Sequence, residues 1–125
     1  MLNGKPLRVS IPVGNMARAK KFYQEKLGLK LLDEHQYATV FEALDGQIAL
    51  VPSQDVIPAK YSLITWMVED IQAEVAALRQ VGIELEEYAL NDMVDGVAQL
   101  GNDRVAWFKD SEDNLLAIAE LHDAG

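Results

Sequence analysis

Val13-Gly14-Asn15-Met16-Ala17-Arg18-Ala19-Lys20-Lys21-Phe22-Tyr23-Gln24-Glu25-Lys26-Leu27-Gly28-Leu29 is the stretch on which the fold turns. Asn15 offers a side-chain oxygen that can accept from the exposed N–H groups at a helix start. From Met16 onward, Ala19, Tyr23 and Leu27 fall on one helical face with Phe22 at its edge, while Arg18, Lys21 and Gln24 lie largely outside it. Gly28 then suits the left-handed conformation that closes a helix. The stretch predicts one amphipathic helix with a marked beginning and end.

Strands surround it. Upstream, Leu7-Arg8-Val9-Ser10-Ile11-Pro12-Val13 is a short apolar run with β-branched residues. Downstream come Leu29-Lys30-Leu31-Leu32, Tyr37-Ala38-Thr39-Val40-Phe41 and Gln47-Ile48-Ala49-Leu50-Val51, with Asp45-Gly46 marking a tight turn before the last. The order is β-α-β-β-β, and the second half repeats it. Tyr61 to Val68 reads as a strand, and Asp70 stands where Asn15 stood. Ile71, Val75 and Leu78 form the next helical stripe, Gly82 ends it, and Ile83-Glu84-Leu85, Arg104 to Lys109 and Asn114 to Ala119 read as strands.

This pattern predicts an α+β fold in one domain spanning 1–125, with module one at about 5–52, a proline-flanked linker at about 53–60 and module two at about 61–121. Each half holds a single helix and needs a partner sheet to complete its core. From Glu84 to Asp103 six acids, Glu84, Glu86, Glu87, Asp92, Asp95 and Asp103, occur with no base. The segment reads as solvated strand ends and a loop, a mobile flap over a pocket.

The helix stretch resembles the V-x-D-x-x-x-A/S-x-x-F-Y-x-x-x-L-G-F/L opening of vicinal oxygen chelate proteins, the glyoxalase, bleomycin-resistance and extradiol dioxygenase superfamily. Trp107-Phe108-Lys109-Asp110-Ser111-Glu112-Asp113-Asn114-Leu115-Leu116 is similar to the family's F-x-x-D-P-x-G-N-x-x turn, with Ser111 in place of proline and Asp113 in place of glycine. The resemblance implies two βαβββ modules packed side by side, mixed sheets curling around a central pocket, and a homodimer.

Metal-dependent members of that family place four ligands, usually His, Gln or Glu, on the inner face of the first and last strands of each module. Counting seven back from Asn15 and Asp70 gives Arg8 and Leu63; the last-strand positions are Ala49 and Ala117. Arginine has no free lone pair near neutral pH, and alanine and leucine carry no donor atom. This chain is therefore read as a member without the usual metal ligands, with no metal and no cofactor implied.

Other chemistry is narrowed by composition. Cysteine is absent from the 125 residues, which removes disulfides, thiolate zinc sites and cysteine nucleophiles. The formal charge of −9 repels nucleic acid and anionic membranes and suits a cationic or neutral ligand, although an acidic surface also simply aids solubility. No apolar run is long enough for a membrane span or a leader, so a cytoplasmic location is expected. There is no G-x-S-x-G, phosphate-loop or H-E-x-x-H motif. His35 and His122 look peripheral, and Asp110 to Asn114 reads as a hairpin turn, because Leu115 stands where a calcium loop needs glycine.

Arg8 is the most informative single residue, since a charge inside an apolar strand needs an internal partner, water at a sheet edge, or an anionic or carbonyl-bearing ligand. Strand alternation puts Ser10 beside Arg8 and Thr65 beside Leu63. Trp107 is either a ligand-stacking surface, as its spacing to Ala117 suggests by resemblance, or a core residue; Trp66, of opposite parity, is expected to pack under a helix. Tyr37 and Tyr88 are placed to reach a pocket mouth.

Two functions follow. The first is metal-free binding of a small organic molecule, in the manner of antibiotic-sequestering relatives, with Arg8, Ser10, Ala49, Leu63, Thr65, Trp107 and Ala117 as ligand contacts and no catalytic residue. The second is a lyase, isomerase or dioxygenase of the same superfamily with a relocated active site. A domain with a filled cavity and no ligand is the third possibility.

Overall fold

The structure, a computed structural model, describes residues 1–88 and 93–121, so Asp92 and His122 lie outside the described residues. The chain forms two compact units, Met1–Ile57 and Pro58–Gly125. The fold class is α+β, and each unit is one mixed sheet with one helical segment.

The first unit contains β1 (Arg8–Val13), α1 (Met16–Lys21), β2 (Leu31–His35), β3 (Ala38–Ala43) and β4 (Gly46–Pro52). Its strand order is β1-β4-β3-β2, with β1 and β4 parallel and the other pairs antiparallel. Asn15 caps α1 as expected, its Oδ1 accepting from the Arg18 N–H at 3.0 Å. The helix then widens into a π-helical turn over Phe22–Lys26, where the Leu27 N–H reaches back five residues to the Phe22 carbonyl at 3.1 Å. Gly28 ends it at φ 71°.

Burial explains why this segment lies where it does. Tyr23 is completely buried and stacks on Phe41 with ring centroids 6.2 Å apart. Phe41 pairs with Ile48, and Val9, Ile11, Ile48 and Leu50 share its face by strand alternation. The Lys20 ammonium meets the Glu34 carboxylate at 2.9 Å on the same side. One face of the sheet is thus covered by the helix. The other carries Arg8, Ser10, Ala49 and Val40.

The turn between β3 and β4 corrects the reading of Asp45-Gly46. Ala43 pairs with Gly46, so Leu44 and Asp45 form the turn, and Leu44 adopts φ 49°. Gly46 is required for another reason. A Cβ there would collide with the Leu7 carbonyl oxygen, which accepts from the Gln47 N–H at 2.8 Å. Because a left-handed leucine costs roughly 1 kcal/mol and Leu44 is exposed, Leu44→Asn is expected to stabilise the chain by about 1 kcal/mol in urea unfolding. An unchanged or lower midpoint would contradict this account of the turn.

The second unit contains β5 (Thr65–Met67), α2 (Ile71–Gln80), β6 (Met93–Val94), β7 (Val97–Leu100), β8 (Asp103–Lys109) and β9 (Leu115–Glu120), in the order β5-β9-β8-β7-β6. Here β5 and β9 are parallel and the rest antiparallel. Asp70 caps α2 through the Ala73 N–H at 3.2 Å, and Gly82 has φ 85°. The Glu120 carboxylate accepts from the Ile71 N–H at 2.9 Å, which places the helix over the face bearing Glu120, Ile118 and Leu116. Trp66 lies on that face, stacked on Phe108 at 6.4 Å, in line with the expectation for it.

Three strand expectations change. The run Tyr61 to Val68 shortens to Thr65–Met67, because the Leu63 N–H donates to Leu115 while the Ala117 N–H donates to Ile64. Two residues there oppose one and interrupt the ladder. Ile83-Glu84-Leu85 is not a strand; Leu85 makes a single bridge to Phe108. The acidic segment is not merely a loop, since β6 and β7 form a hairpin within it. Its turn is Asp95-Gly96, both at positive φ (52° and 82°), as a two-residue hairpin loop demands.

Between β8 and β9 the expected hairpin turn is present. The Asp110 Oδ1 accepts from the backbone N–H groups of Glu112 at 2.8 Å and Asn114 at 2.9 Å, and its Oδ2 accepts from the Asn114 side-chain amide at 3.1 Å. Asp113, which stands where the resembled motif has glycine, sits at φ 65°. Asp113→Gly is therefore expected to raise stability by about 1 kcal/mol, read as a higher urea midpoint with an unchanged slope.

Candidate ligand-binding site

In the first unit the sheet face away from α1 brings Arg8, Ser10 and Ala49 together. Ser10 and Ala49 are register partners, and Val40 continues the row beyond Ala49. Ala38, Val40 and Ala49 form a buried apolar cluster on this face. Arg8 lies one row away, opposite Gln47, which in turn pairs with Glu42. The Arg8 Nε and Nη2 both donate to the Gln47 Oε1, at 2.9 and 2.7 Å.

The partner of Arg8 is therefore a neutral amide. Its strand is an edge of the unit's sheet and its side chain is exposed, which matches the reading of an edge arginine reaching water. Sequence reasoning did not find Gln47. The two residues are 39 apart in sequence, and only the parallel register of β1 on β4 aligns them.

In the second unit the face away from α2 carries Thr65, Ala117 and Trp107 in one row, since Thr65 pairs with Ala117 and Ala117 with Trp107. Ala117 is buried, Trp107 half-buried and Thr65 exposed. Leu63 lies outside the strand, half-buried, beyond the interrupted ladder. A strap over residues 84–88 then sets an aromatic wall. The Glu86 N–H donates to the Trp107 carbonyl at 2.8 Å, the Glu86 carboxylate meets the Lys109 ammonium at 3.3 Å, and the Tyr88 N–H points at the Met93 sulfur at 3.3 Å. Tyr88 consequently meets Trp107 edge to face, with centroids 5.3 Å apart.

Burial, and then the Glu86 carboxylate, push the Tyr88 phenol above its ordinary range, with Lys109 acting in the opposite direction. The phenol is thus a hydrogen-bond donor at neutral pH. Tyr37 is exposed at the β2–β3 turn, and His35 accepts from the Tyr37 N–H at 3.2 Å in an exposed setting.

The donor set does not fit the metal that the resembled family implies. Arg8 and Ala49 in the first unit, and Leu63 and Ala117 in the second, present no oxygen, sulfur or imidazole nitrogen to an ion. Among the described residues no three His, Cys, Asp or Glu side chains gather as a metal site. Nor is any helix among them long and apolar enough to cross a membrane.

Charge is divided unevenly. The first unit has seven Lys and Arg against six Asp and Glu, and the second has four against fourteen. The aromatic wall therefore lies in the strongly acidic unit.

Solved structures share this fold. One is UcmS2, with a TM-score of 0.74 at 19% identity over 95% of this chain and 99% of that one. Another is TnmS3, an antibiotic binding protein from Streptomyces sp. CB03234, with a TM-score of 0.73 at 19% identity over 98% and 99%. A glyoxalase family protein from Enterococcus faecalis gives a TM-score of 0.73 at 22% identity over 96% and 100%. No curated protein matches the chain. The sequence profile of one family matches residues 5–120, nearly the whole chain. By that match, the chain belongs to the Glyoxalase/Bleomycin resistance protein/Dioxygenase superfamily.

Proposed function

We propose that this protein binds a small organic molecule without a metal ion, as an antibiotic-sequestering member of its superfamily. The observation that carries the reading is the side-chain chemistry at Arg8, Ala49, Leu63 and Ala117, where the family's metal-dependent members hold their ion. In the second unit, Trp107 with Tyr88 at its edge, and Thr65 and Ala117 in its row, make an apolar surface with polar groups at its margin. In the first, Arg8, Ser10 and Ala49 are the ligand contacts. The antibiotic-binding neighbour TnmS3 supports the class of ligand and does not name it. A homodimer and a cytoplasmic location complete the proposal.

A flat aromatic cation suits the acidic second unit and the indole face together. The deciding experiment is thermal denaturation of untagged protein with divalent Mn, Fe, Co, Ni and Zn, and separately with a panel of cationic aromatic antibiotics. Stabilisation by an antibiotic and by none of the metals is the expected result, with a ligand at 100 times its Kd adding about 2.7 kcal/mol. Stoichiometric metal in the purified protein, or metal-dependent stabilisation, would overturn the proposal.

A further inference from the structure

We infer that Arg8, one of the contacts proposed in the first unit, is the centre of a site for a small carboxylate with an apolar body. The site is a depression of about 590 Å³ bounded by Pro6, Leu7, Arg8, Leu32, Leu44 and Gln47, with Lys30, Glu42, Asp45 and Gly46 completing its wall. That volume lies within the range of small-molecule pockets. Leu7, Leu32 and Leu44 are all exposed leucines, an unusual concentration of apolar surface beside an arginine.

The geometry of Arg8 specifies the ligand. A guanidinium has five N–H donors, and the Nε edge of this one is spent on the Gln47 Oε1. The end fork formed by the two terminal nitrogens remains available, and it matches the two oxygens of a carboxylate. Gln47 holds the fork in place before any ligand arrives, because its own position is fixed by the pairing with Arg8 and by its N–H bond to Leu7. Among the described residues Arg8 makes no ion pair, so its charge is not neutralised. The two acids of the wall do not cancel it: Glu42 is shared with Lys30 at 3.9 Å, and Asp45 is exposed at the turn.

The charge division favours the same conclusion, since the depression lies wholly in the unit whose cations slightly exceed its anions. The inference rests on the proposed function only in giving Arg8 a ligand. It needs no residue of the second unit.

The test uses the full chain and octanoate, below its micellar concentration, followed by nitrogen-15 NMR of the Arg8 Nε–H and the Gly46 and Gln47 amides. Octylammonium and 1-octanol serve as probes with the same tail. Octanoate is expected to shift these three signals saturably, while the cation and the alcohol do not. Arg8→Gln should weaken octanoate at least about tenfold, Arg8→Lys should weaken it less because a point charge replaces the fork, and both variants should keep the wild-type circular dichroism. Equal response to the alcohol, or unchanged affinity in Arg8→Gln, would overturn the inference. Trp107 fluorescence reads the other proposal independently: an aromatic cation that fails to quench it counts against metal-free binding there, whatever octanoate does at Arg8.

Discussion

Asp110→Ala is expected to lower the free energy of unfolding by about 4 kcal/mol, the largest loss foreseen for any single exposed-loop or turn substitution in this chain. One carboxylate there accepts two backbone N–H groups and a side-chain amide while only 5% exposed, and Asn114 beside it is fully buried. Hydrogen bonds to a charged group each contribute about 1.5 to 3 kcal/mol, and the stranded donors cannot reach water. Asp110→Asn keeps one acceptor oxygen and should lose roughly half as much. Urea unfolding of both variants, with the slope unchanged, measures this. A loss below about 1 kcal/mol for the alanine variant would show that the turn is held by something else. The turn also fixes the register of β8 on β9, and with it the placement of Trp107 opposite Ala117.

Trp107→Ala is expected to weaken the organic ligand found in the antibiotic panel by about 30- to 100-fold. A buried aromatic anchor at a binding surface contributes on the order of 2 to 3 kcal/mol, and 1.4 kcal/mol is tenfold. Trp107→Phe retains a smaller flat face and should lose only a few-fold. Tyr88→Phe removes the phenol hydroxyl while keeping the edge contact, so its loss of affinity measures what a donor at that position contributes to the ligand. Titration calorimetry on variants with wild-type circular dichroism is the measurement. Equal affinity in the alanine variant would make Trp107 a packing residue and return it to the core reading.

The modular plan was legible because its signals are local. Asn15 and Asp70 announce helices, Gly28 and Gly82 end them, and the caps appear in the structure with those residues in those roles. Where the reading failed, the cause was tertiary or a matter of weighting. Gly46 looked like the second residue of a turn, but it is fixed by the approach of Leu7 from another strand, and no neighbouring residue reveals that contact. The β6–β7 hairpin had a usable sign in Asp95-Gly96 between apolar residues, the same sign credited at Asp45-Gly46. The acids around it favour a solvated segment, although Val97 and Ala98 are buried. The widened turn at Phe22–Lys26 has no marker in its residues. As for the site, alternation puts Ser10 with Arg8 and Thr65 with Leu63, but a ladder irregularity separates Leu63 from Thr65. The pairing of Thr65 with Ala117, like the approach of Gln47 to Arg8 and of Glu86 to Trp107, rests on contacts between segments distant in sequence.

The uneven division of charge bears on speed as well as on affinity. A cation approaching the acidic second unit is drawn in from a distance set by the Debye length, about 30 Å in 0.01 M salt and about 8 Å in 0.15 M. Its association rate is therefore expected to drop steeply as salt is added while its dissociation rate stays nearly constant, and an anion bound for Arg8, in a unit whose cations exceed its anions by one, should show the same trend much more weakly.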